Sequence, residues 1–337
     1  MKIAVMGSGS WGTSLGMVLA DAGGDVAMWA REPDVVNSIN EQHVNERYHP
    51  GIELPVTMWA SSDPKAVLAD AEVVILAIPS QTLRENLAVW KDYLAPGAIL
   101  VSLMKGIELG TVMRMSQVIG DVTGLPSDQI AVLSGPNLAR EIAQRQPAAT
   151  TIASTSEDAA RKVAEAATTA YFRPYYTTDL VGAEIGGSVK NVIALANGMA
   201  VGMGLGENTQ ASLITRGLAE MTRLGVALGA NPMTFQGLAG IGDLIATCTS
   251  SLSRNRTFGE NLGKGLTVQE TIDRTNQTCE GVKSCQSILD LATRNGVEMP
   301  ITAEVVKVVH EQMSPEEMLG HLMSRDLRAE QGHEGAI

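Results

Sequence analysis

The sequence predicts a two-domain protein in which an α/β domain precedes an all-α domain. Short apolar runs, separated by amphipathic stretches, recur through the first half of the 337-residue chain. This alternation is typical of a parallel sheet that helices cover on both faces. From Val181 to His310 the apolar spacing is helical, and no strand pattern is evident. We therefore expect domains at 1–178 and 179–337.

Six runs are predicted as strands because their apolar residues are nearly continuous, as in strands buried on both faces. They are Ile3–Met6, Asp25–Ala30, Val73–Ile78, Ile99–Ser102, Ile130–Leu133 and Thr150–Ala153. Two stretches between them, Thr82–Leu94 and Asp158–Ala167, have the spacing of amphipathic helices. The tail beyond Arg328 is polar and contains glycine, so we expect it to be frayed.

Composition narrows the class of protein. A formal net charge of −12 argues against nucleic acid and anionic membranes as partners. No run approaches the roughly 18 apolar residues of a membrane helix. The three cysteines, Cys248, Cys279 and Cys285, lack a metal-binding spacing, and no two histidines form an H-x-x-x-H pair. We therefore expect a reduced, cytoplasmic protein with no metal site and no membrane insertion.

The first predicted strand leads directly into Gly7, Gly9 and Gly12, which have G-x-G-x-x-G spacing. Between a strand and a helix, these glycines permit a tight turn, the approach of a pyrophosphate to the backbone, and close helix–strand packing. The free amides and positive dipole end of the helix N-terminus then bind the anion. The α/β half is therefore predicted to be a Rossmann domain that binds a dinucleotide.

Two charged residues after the second predicted strand bear on the choice of nicotinamide cofactor. Arg31 could donate paired hydrogen bonds to a 2′-phosphate, whereas Glu32 would repel one. Either could also be a solvated loop residue. Because Arg31 directly follows the strand, we favour NADP(H), and NAD(H) stays possible.

The run 183–206 predicts a buried helix that carries the chemistry. Its interior glycines are Gly186, Gly187, Gly198 and Gly202. Each costs about 1 kcal/mol relative to alanine, so close packing against a backbone or a ligand must compensate. Lys190 stands in this nearly uncharged run. It is either a snorkelling surface lysine or a partly desolvated ammonium with a lowered pKa, fit for proton exchange with a hydroxyl or ketone.

Two polar segments follow predicted strands at the carboxyl edge of the sheet, where open α/β sheets bind ligands. Lys105 lies three residues beyond Ser102, and the run Ser-Gly-Pro-Asn at 134–137 follows Leu133. Both could line the binding crevice. Lys105 could equally be a loop lysine, and the second run could simply cap the next helix.

Two further segments lie in the predicted helical half. Asp243 and Thr247 stand one helical turn apart on one face, although Asp243 could be only an N-cap. The run Ser-Arg-Asn at 253–255 is a compact cluster of donors in an acidic protein. Such a cluster suits a phosphate, and a solvated loop is the alternative.

Together these motifs closely resemble the sn-glycerol-3-phosphate dehydrogenase family of the bacterial, NAD(P)-dependent type, over about residues 2–325. The matching motifs are Gly-Ser-Gly-Ser-Trp-Gly-Thr at 7–13, Lys105-Gly106, Ser134-Gly135-Pro136, Val189-Lys190-Asn191, Gly240-x-Gly-Asp243, Ser253-Arg254-Asn255 and Glu280-Gly281. The resemblance implies an all-α second domain similar to that of 6-phosphogluconate dehydrogenase. It also implies a homodimer.

By this resemblance, Lys190 is the catalytic proton donor and acceptor. The positions that resemble the family's substrate-binding residues are Lys105, Gly135, Asn137, Lys190, Asn191, Asp243, Thr247, Ser253, Arg254 and Asn255. Those that resemble cofactor contacts, beside Gly7, Gly9 and Gly12 of the glycine motif, are Ser10, Trp11, Arg31, Lys105, Ala139, Arg254 and Glu280. The family commonly has Ser or Thr where Asn137 stands; an amide can still donate a hydrogen bond there.

The resemblance implies the interconversion of dihydroxyacetone phosphate and sn-glycerol 3-phosphate with NAD(P)H, supplying phospholipid synthesis. Arg254, Ser253 and Asn255 would anchor the phosphate. Hydride would go to C2 while Lys190 supplies the proton and Lys105 stabilises the developing alkoxide charge. Two alternatives stay open: a two-domain NADP-dependent hydroxy-acid or ketopantoate-type dehydrogenase, and a non-catalytic NADP(H) sensor.

Overall fold

The computed structural model describes residues 1–275, 279–327 and 330. Within them, one eight-stranded sheet has the order β3-β2-β1-β4-β5-β6-β7-β8. The strands are β1 (Lys2–Met6), β2 (Asp25–Trp29), β3 (Trp59–Ser61), β4 (Val73–Leu76), β5 (Ile99–Ser102), β6 (Ile130–Ser134), β7 (Ala148–Ser154) and β8 (Phe172–Thr177).

The α-helices follow the strands in the first half and then fill the second half. They are α1 (Ser10–Asp21), α2 (Pro33–Asn37), α3 (Pro64–Leu68), α4 (Leu83–Trp90), α5 (Met115–Thr123), α6 (Ala139–Ala143), α7 (Glu157–Ala166), α8 (Leu180–Gly202), α9 (Glu207–Ala227), α10 (Asp243–Thr249), α11 (Arg254–Gly263), α12 (Val268–Thr275), α13 (Glu280–Arg294), α14 (Pro300–His310) and α15 (Pro315–Met323). Short 3₁₀ or π turns cover Ser38–Gln42, Ser80–Thr82, Lys91–Tyr93, Ser127–Gln129, Pro232–Gln236 and Leu238–Gly242.

The sheet confirms the predicted Rossmann plan, with one difference in strand direction. Neighbouring strands from β3 to β6 pair in parallel, as do β7 and β8. However, β6 and β7 are antiparallel, so the expectation of an all-parallel sheet is wrong there. The five residues of α6 rise only about 8 Å, too little to carry the chain back along the sheet for a parallel crossover.

Two observed strands are absent from the sequence-based set. β3 has only three residues, which is too short for a recognisable pattern. β8 lies at the edge of the sheet and contains Pro174 and the exposed Tyr175 and Tyr176. Proline is tolerated on edge strands because one side of the strand needs no donor.

The helical half is built around α8, in which every residue from Gly182 to Ala200 is buried. Three of its interior glycines, Gly186, Gly198 and Gly202, lie against other backbones, whereas Gly187 faces the side chains of Ser134 and Lys105. A Cβ on Gly198 would overlap the carbonyl oxygen of Arg256, and one on Gly202 would overlap that of Glu260. On the facing helix, Gly259 and Gly263 of α11 lie against backbone carbonyls of α8. The two helices therefore approach closely through small residues on both sides.

The predicted division after residue 178 falls between β8 and α8 and stays a prediction. Among the described helices, none is long and apolar enough to cross a membrane. The expectation of a frayed tail beyond Arg328 concerns residues that, apart from Glu330, lie outside the described part of the chain.

The α8–α11 contact predicts that Gly198→Ala lowers the Tm by about 5 °C or more, because the added methyl group has no space against the facing backbone. Gly320→Ala is the matched control. A Cβ on Gly320 of α15 would meet no atom of the described residues within 4 Å, and a small rise in Tm is expected there from helix propensity. Thermal unfolding followed by circular dichroism measures both. An unchanged Tm for Gly198→Ala would contradict the packing described.

Candidate active site

The glycine turn between β1 and α1 has the shape that a dinucleotide requires. Gly7 has φ +132°, and a Cβ there would lie 2.5 Å from the carbonyl oxygen of Ala77. A Cβ on Gly12 would overlap the carbonyl oxygen of Gly7, whereas the space around Gly9 is open. Among the described residues no side chain caps α1, so the amides of its first turn are open to a ligand beside that space. The turn therefore fits a pyrophosphate.

Polar residues that sequence reasoning missed bind the backbone carbonyls of this turn. Buried Asn45 donates to the carbonyl oxygen of Ser8 at 3.0 Å, and the His49 ring contacts that of Ser10 at 2.7 Å. Burial lowers the pKa of His49, which favours the neutral imidazole. Ser14 of α1 donates to the carbonyl oxygen of Ala139 at 2.7 Å. The predicted cofactor contact at 139 is thus tied to the helix that begins at the glycine turn.

Arg31 lies at the carboxyl end of β2 with an exposed side chain. Its guanidinium donates to Glu32 at 3.0 Å, and Arg47 lies 3.8 Å from the same carboxylate oxygen. The acidic residue that would repel a 2′-phosphate is therefore paired with two arginines.

A buried carboxylate joins two lysines where the carboxyl edge of the sheet meets the helical half. Lys190 of α8 donates to Asp243 and, at 2.7 Å, to the hydroxyl of Thr247. Lys105 donates to the other oxygen of Asp243 at 2.5 Å and to the carbonyl oxygen of Gly135 at 3.3 Å. The fold thus brings together residues from the ends of β5 and β6 and from α8 and α10. Lys190 is 6% exposed, so it does not snorkel to the surface.

The charged groups of this cluster shift one another's pKa. Burial lowers the pKa of Lys190 to about 7; the attraction of Asp243 opposes this shift and the repulsion of Lys105 adds to it. Burial alone would raise the pKa of Asp243, but the two ammonium groups hold it below its usual range. Two cations and one anion leave a local positive charge in an acidic protein. Such a site suits an anionic ligand.

A second row of amides continues from the lysines toward α11 and α13. Asn255 donates to the side-chain oxygen of Asn191 at 3.0 Å and accepts from the backbone amide of Gly281 at 2.9 Å. Asn191 in turn donates to the carbonyl oxygen of Lys105 at 3.3 Å. Ser253 caps α11 by accepting from a backbone amide. The predicted phosphate cluster therefore lies at a helix N-terminus, and Arg254 is the first residue of that helix.

Two predicted contacts are held by neighbouring side chains. Asn137 accepts from the hydroxyl of Thr150 at 2.7 Å and donates to the carbonyl oxygen of Ala149 at 3.3 Å, so β7 fixes its amide. Glu280 accepts from the Ser80 hydroxyl at 2.6 Å, which joins α13 to the turn after β4. Ser80 was missed because a lone serine after a strand has no distinctive spacing.

Comparisons with known proteins agree along almost the whole chain. Residues 2–160 match the family model described as NAD-dependent glycerol-3-phosphate dehydrogenase N-terminus, and residues 179–320 match the C-terminus of the same family. A glycerol-3-phosphate dehydrogenase [NAD(P)+] of Streptomyces avermitilis is 58% identical over 330 residues, which cover 98% of each chain. One of Corynebacterium diphtheriae is 57% identical over 331 residues, covering 98% of this chain and 100% of the relative.

A similar fold is found among solved structures. The crystal structure of glycerol-3-phosphate dehydrogenase from Coxiella burnetii superimposes with a TM-score of 0.91 at 37% identity. The match covers 96% of this chain and 99% of that one.

Proposed function

The chain belongs to the NAD-dependent glycerol-3-phosphate dehydrogenase family, and we therefore propose that it interconverts dihydroxyacetone phosphate and sn-glycerol 3-phosphate. It is an oxidoreductase that uses NAD or NADP. The observation that carries this proposal is the buried Lys105–Asp243–Lys190 cluster at the carboxyl end of β5. It offers both a proton carrier with a pKa near neutrality and a second cation for an anionic substrate.

Lys190 is the proton carrier in this proposal. Its protonated Nζ delivers a proton to the C2 oxygen during reduction and accepts it back during oxidation. Lys105 stabilises negative charge that develops on the same oxygen, and burial strengthens this interaction because water is excluded. Asp243 orients both ammonium groups. Arg254 at the N-terminus of α11 is suited to the substrate phosphate.

The glycine turn and Arg31 would hold the cofactor. A nicotinamide dinucleotide supplies the hydride when it is bound. Gly9 leaves room for its pyrophosphate, and the first turn of α1 presents amides to it. The exposed Arg31 guanidinium, with Glu32 already paired, supports a preference for NADP(H) over NAD(H).

Family membership also supports a homodimer. All three cysteines are buried free thiols, which supports the cytoplasm as its location.

The protein with NADPH is expected to reduce dihydroxyacetone phosphate at a rate that falls as pH rises through about 7. Reduction requires protonated Lys190, and its kcat/KM should fall roughly tenfold per pH unit above that pKa. Oxidation of sn-glycerol 3-phosphate requires neutral Lys190, so its kcat/KM should rise through the same range. Absorbance at the wavelength of the reduced nicotinamide follows both directions.

The controls for this assay are ketopantoate and a simple 2-keto acid under the same conditions. Faster reduction of either would contradict the proposed substrate and favour a hydroxy-acid or ketopantoate-type dehydrogenase. NADPH binding without turnover of any of them would favour a sensor. A pH-independent rate of reduction would contradict the role of Lys190.

Arg31→Ala tests the cofactor preference. We expect the Kd of NADPH to rise by about 10- to 100-fold, because charge-assisted hydrogen bonds to the 2′-phosphate are lost. The Kd of NADH should change by less than about threefold, since it has no such phosphate. Arg161→Ala, which removes another exposed arginine, is the control. An equal loss for both cofactors would show that Arg31 does not discriminate between them.

A further inference from the structure

The segment 105–116, which leaves β5 with Lys105 at its start, packs into the helical half. Ile107 and Val112 are buried in the same apolar core as the interior of α8. Ser287 of α13 donates to the carbonyl oxygen of Ile107 at 2.9 Å. Val112 has φ +62°, a conformation that β-branched residues rarely adopt, so packing determines the path of the chain here.

A buried carboxylate on α8 binds the far end of this segment. Glu184 is 5% exposed. It accepts from the backbone amide of Ser116 at 2.7 Å, from the Ser116 hydroxyl at 2.6 Å, and from the guanidinium of Arg114. A buried carboxylate with this many donors is held in one orientation, since each bond would be costly to lose. None of these hydrogen bonds involves Lys105, Asp243 or Lys190.

One face of α8 contacts both ends of the segment. Glu184 binds its far end, and a Cβ on Gly187 would lie 3.3 Å from the Lys105 side chain. Asn191 donates to the carbonyl oxygen of Lys105. Lys190, which stands between Gly187 and Asn191 in α8, donates to Asp243. Positions three and four apart share a helix face, so these contacts form one continuous strip. The position of Lys105 therefore depends on how the segment is held on α8.

We propose that Glu184 is a positioning residue, which fixes the segment 105–116 on α8 and thereby holds the Lys105 ammonium beside Asp243 and Lys190. The proposal deepens the proposed function and rests on it for its catalytic meaning. If the segment loosens, Lys105 moves away from Lys190 and from the carboxylate that they share. Lys105 then repels Lys190 less, and Asp243 attracts Lys190 more strongly. The affinity of Lys190 for a proton then increases.

Few titratable groups act on Lys190 among the described residues. Asp243 of α10 and Lys105 face it, and the Cys248 thiol of α10 lies near. Burial raises the pKa of Cys248 to about 12, so this thiol is neutral. Removing the negative charge of Glu184 would by itself lower the pKa of Lys190. A loosened Lys105 would raise it, so the two effects have opposite signs.

The test uses Glu184→Gln and the milder Ser116→Ala in the full chain. The pKa of Lys190 is measured from the pH dependence of its acetylation by acetic anhydride, followed by mass spectrometry. We expect Glu184→Gln to raise this pKa by about 0.5 to 1 unit, and Ser116→Ala to raise it by less. A raised pKa leaves more of Lys190 protonated at neutral pH, but the displaced Lys105 no longer stabilises charge on the C2 oxygen. With dihydroxyacetone phosphate, kcat at neutral pH should therefore fall about tenfold while the KM for NADPH changes by less than about twofold.

Glu220→Gln is the matched control. Glu220 of α9 is also buried and also binds the start of a helix, through the backbone amides of Ile301 and Thr302. Its substitution should leave the pKa of Lys190 and the alkaline limb of the rate profile unchanged. If Glu184→Gln does not fold, the test relies on Ser116→Ala, because this variant keeps the charges of Glu184 and Arg114.

An unchanged or lowered pKa of Lys190 in the variants that fold would overturn the positioning role. Failure of the wild-type protein to reduce dihydroxyacetone phosphate would instead contradict the proposed function. The acetylation measurement decides the placement of Lys105 in either case, so the two failures are distinguishable.

Discussion

The attraction of one buried carboxylate for two ammonium groups constrains both halves of the molecule. Lys105 comes from the end of β5, Lys190 from the middle of α8 and Asp243 from the start of α10. Leaving any one of these charges buried without its partner would cost several kcal/mol, about 3–5 in comparable pairs. The sheet, α8 and α10 must therefore hold fixed relative positions. The burial that makes an unpaired charge costly here also brings the pKa of Lys190 toward neutrality.

The fold was largely predictable because its strands and helices carry the periodicity of buried parallel strands and of a buried helix. The glycines of α8 predicted close packing without naming the partner, and α11 provides it through Gly259 and Gly263. Sequence reasoning failed where local patterns are weak. β8 contains Pro174 and two exposed tyrosines, and its edge position accounts for both. The antiparallel direction of β7 depends on the length of one short helix, which periodicity does not reveal.

The sequence supplied candidate site residues, whose roles stay predictions, but it did not predict how they are arranged. Spacing alone left Lys190 and Asp243 with structural alternatives, and the family resemblance joined them. They are 53 residues apart, so their pairing needed the fold. Glu184 was missed, although a lone acid inside a long apolar run is a signal that it has buried partners. Asn137 was identified as a departure from the family, and β7 supplies the partners that fix its amide.

In the proposed mechanism, Lys190 carries the proton while the glycine turn holds the cofactor independently of it. Measurement of turnover and of NADPH binding in Lys190→Ala tests this most directly. We predict a loss of at least about 10³-fold in kcat with the Kd of NADPH changed by less than about twofold. Lys162→Ala, at a half-exposed lysine of α7, should leave both unchanged. A Lys190→Ala protein that reduces dihydroxyacetone phosphate at a rate near that of the wild type would contradict the role of Lys190.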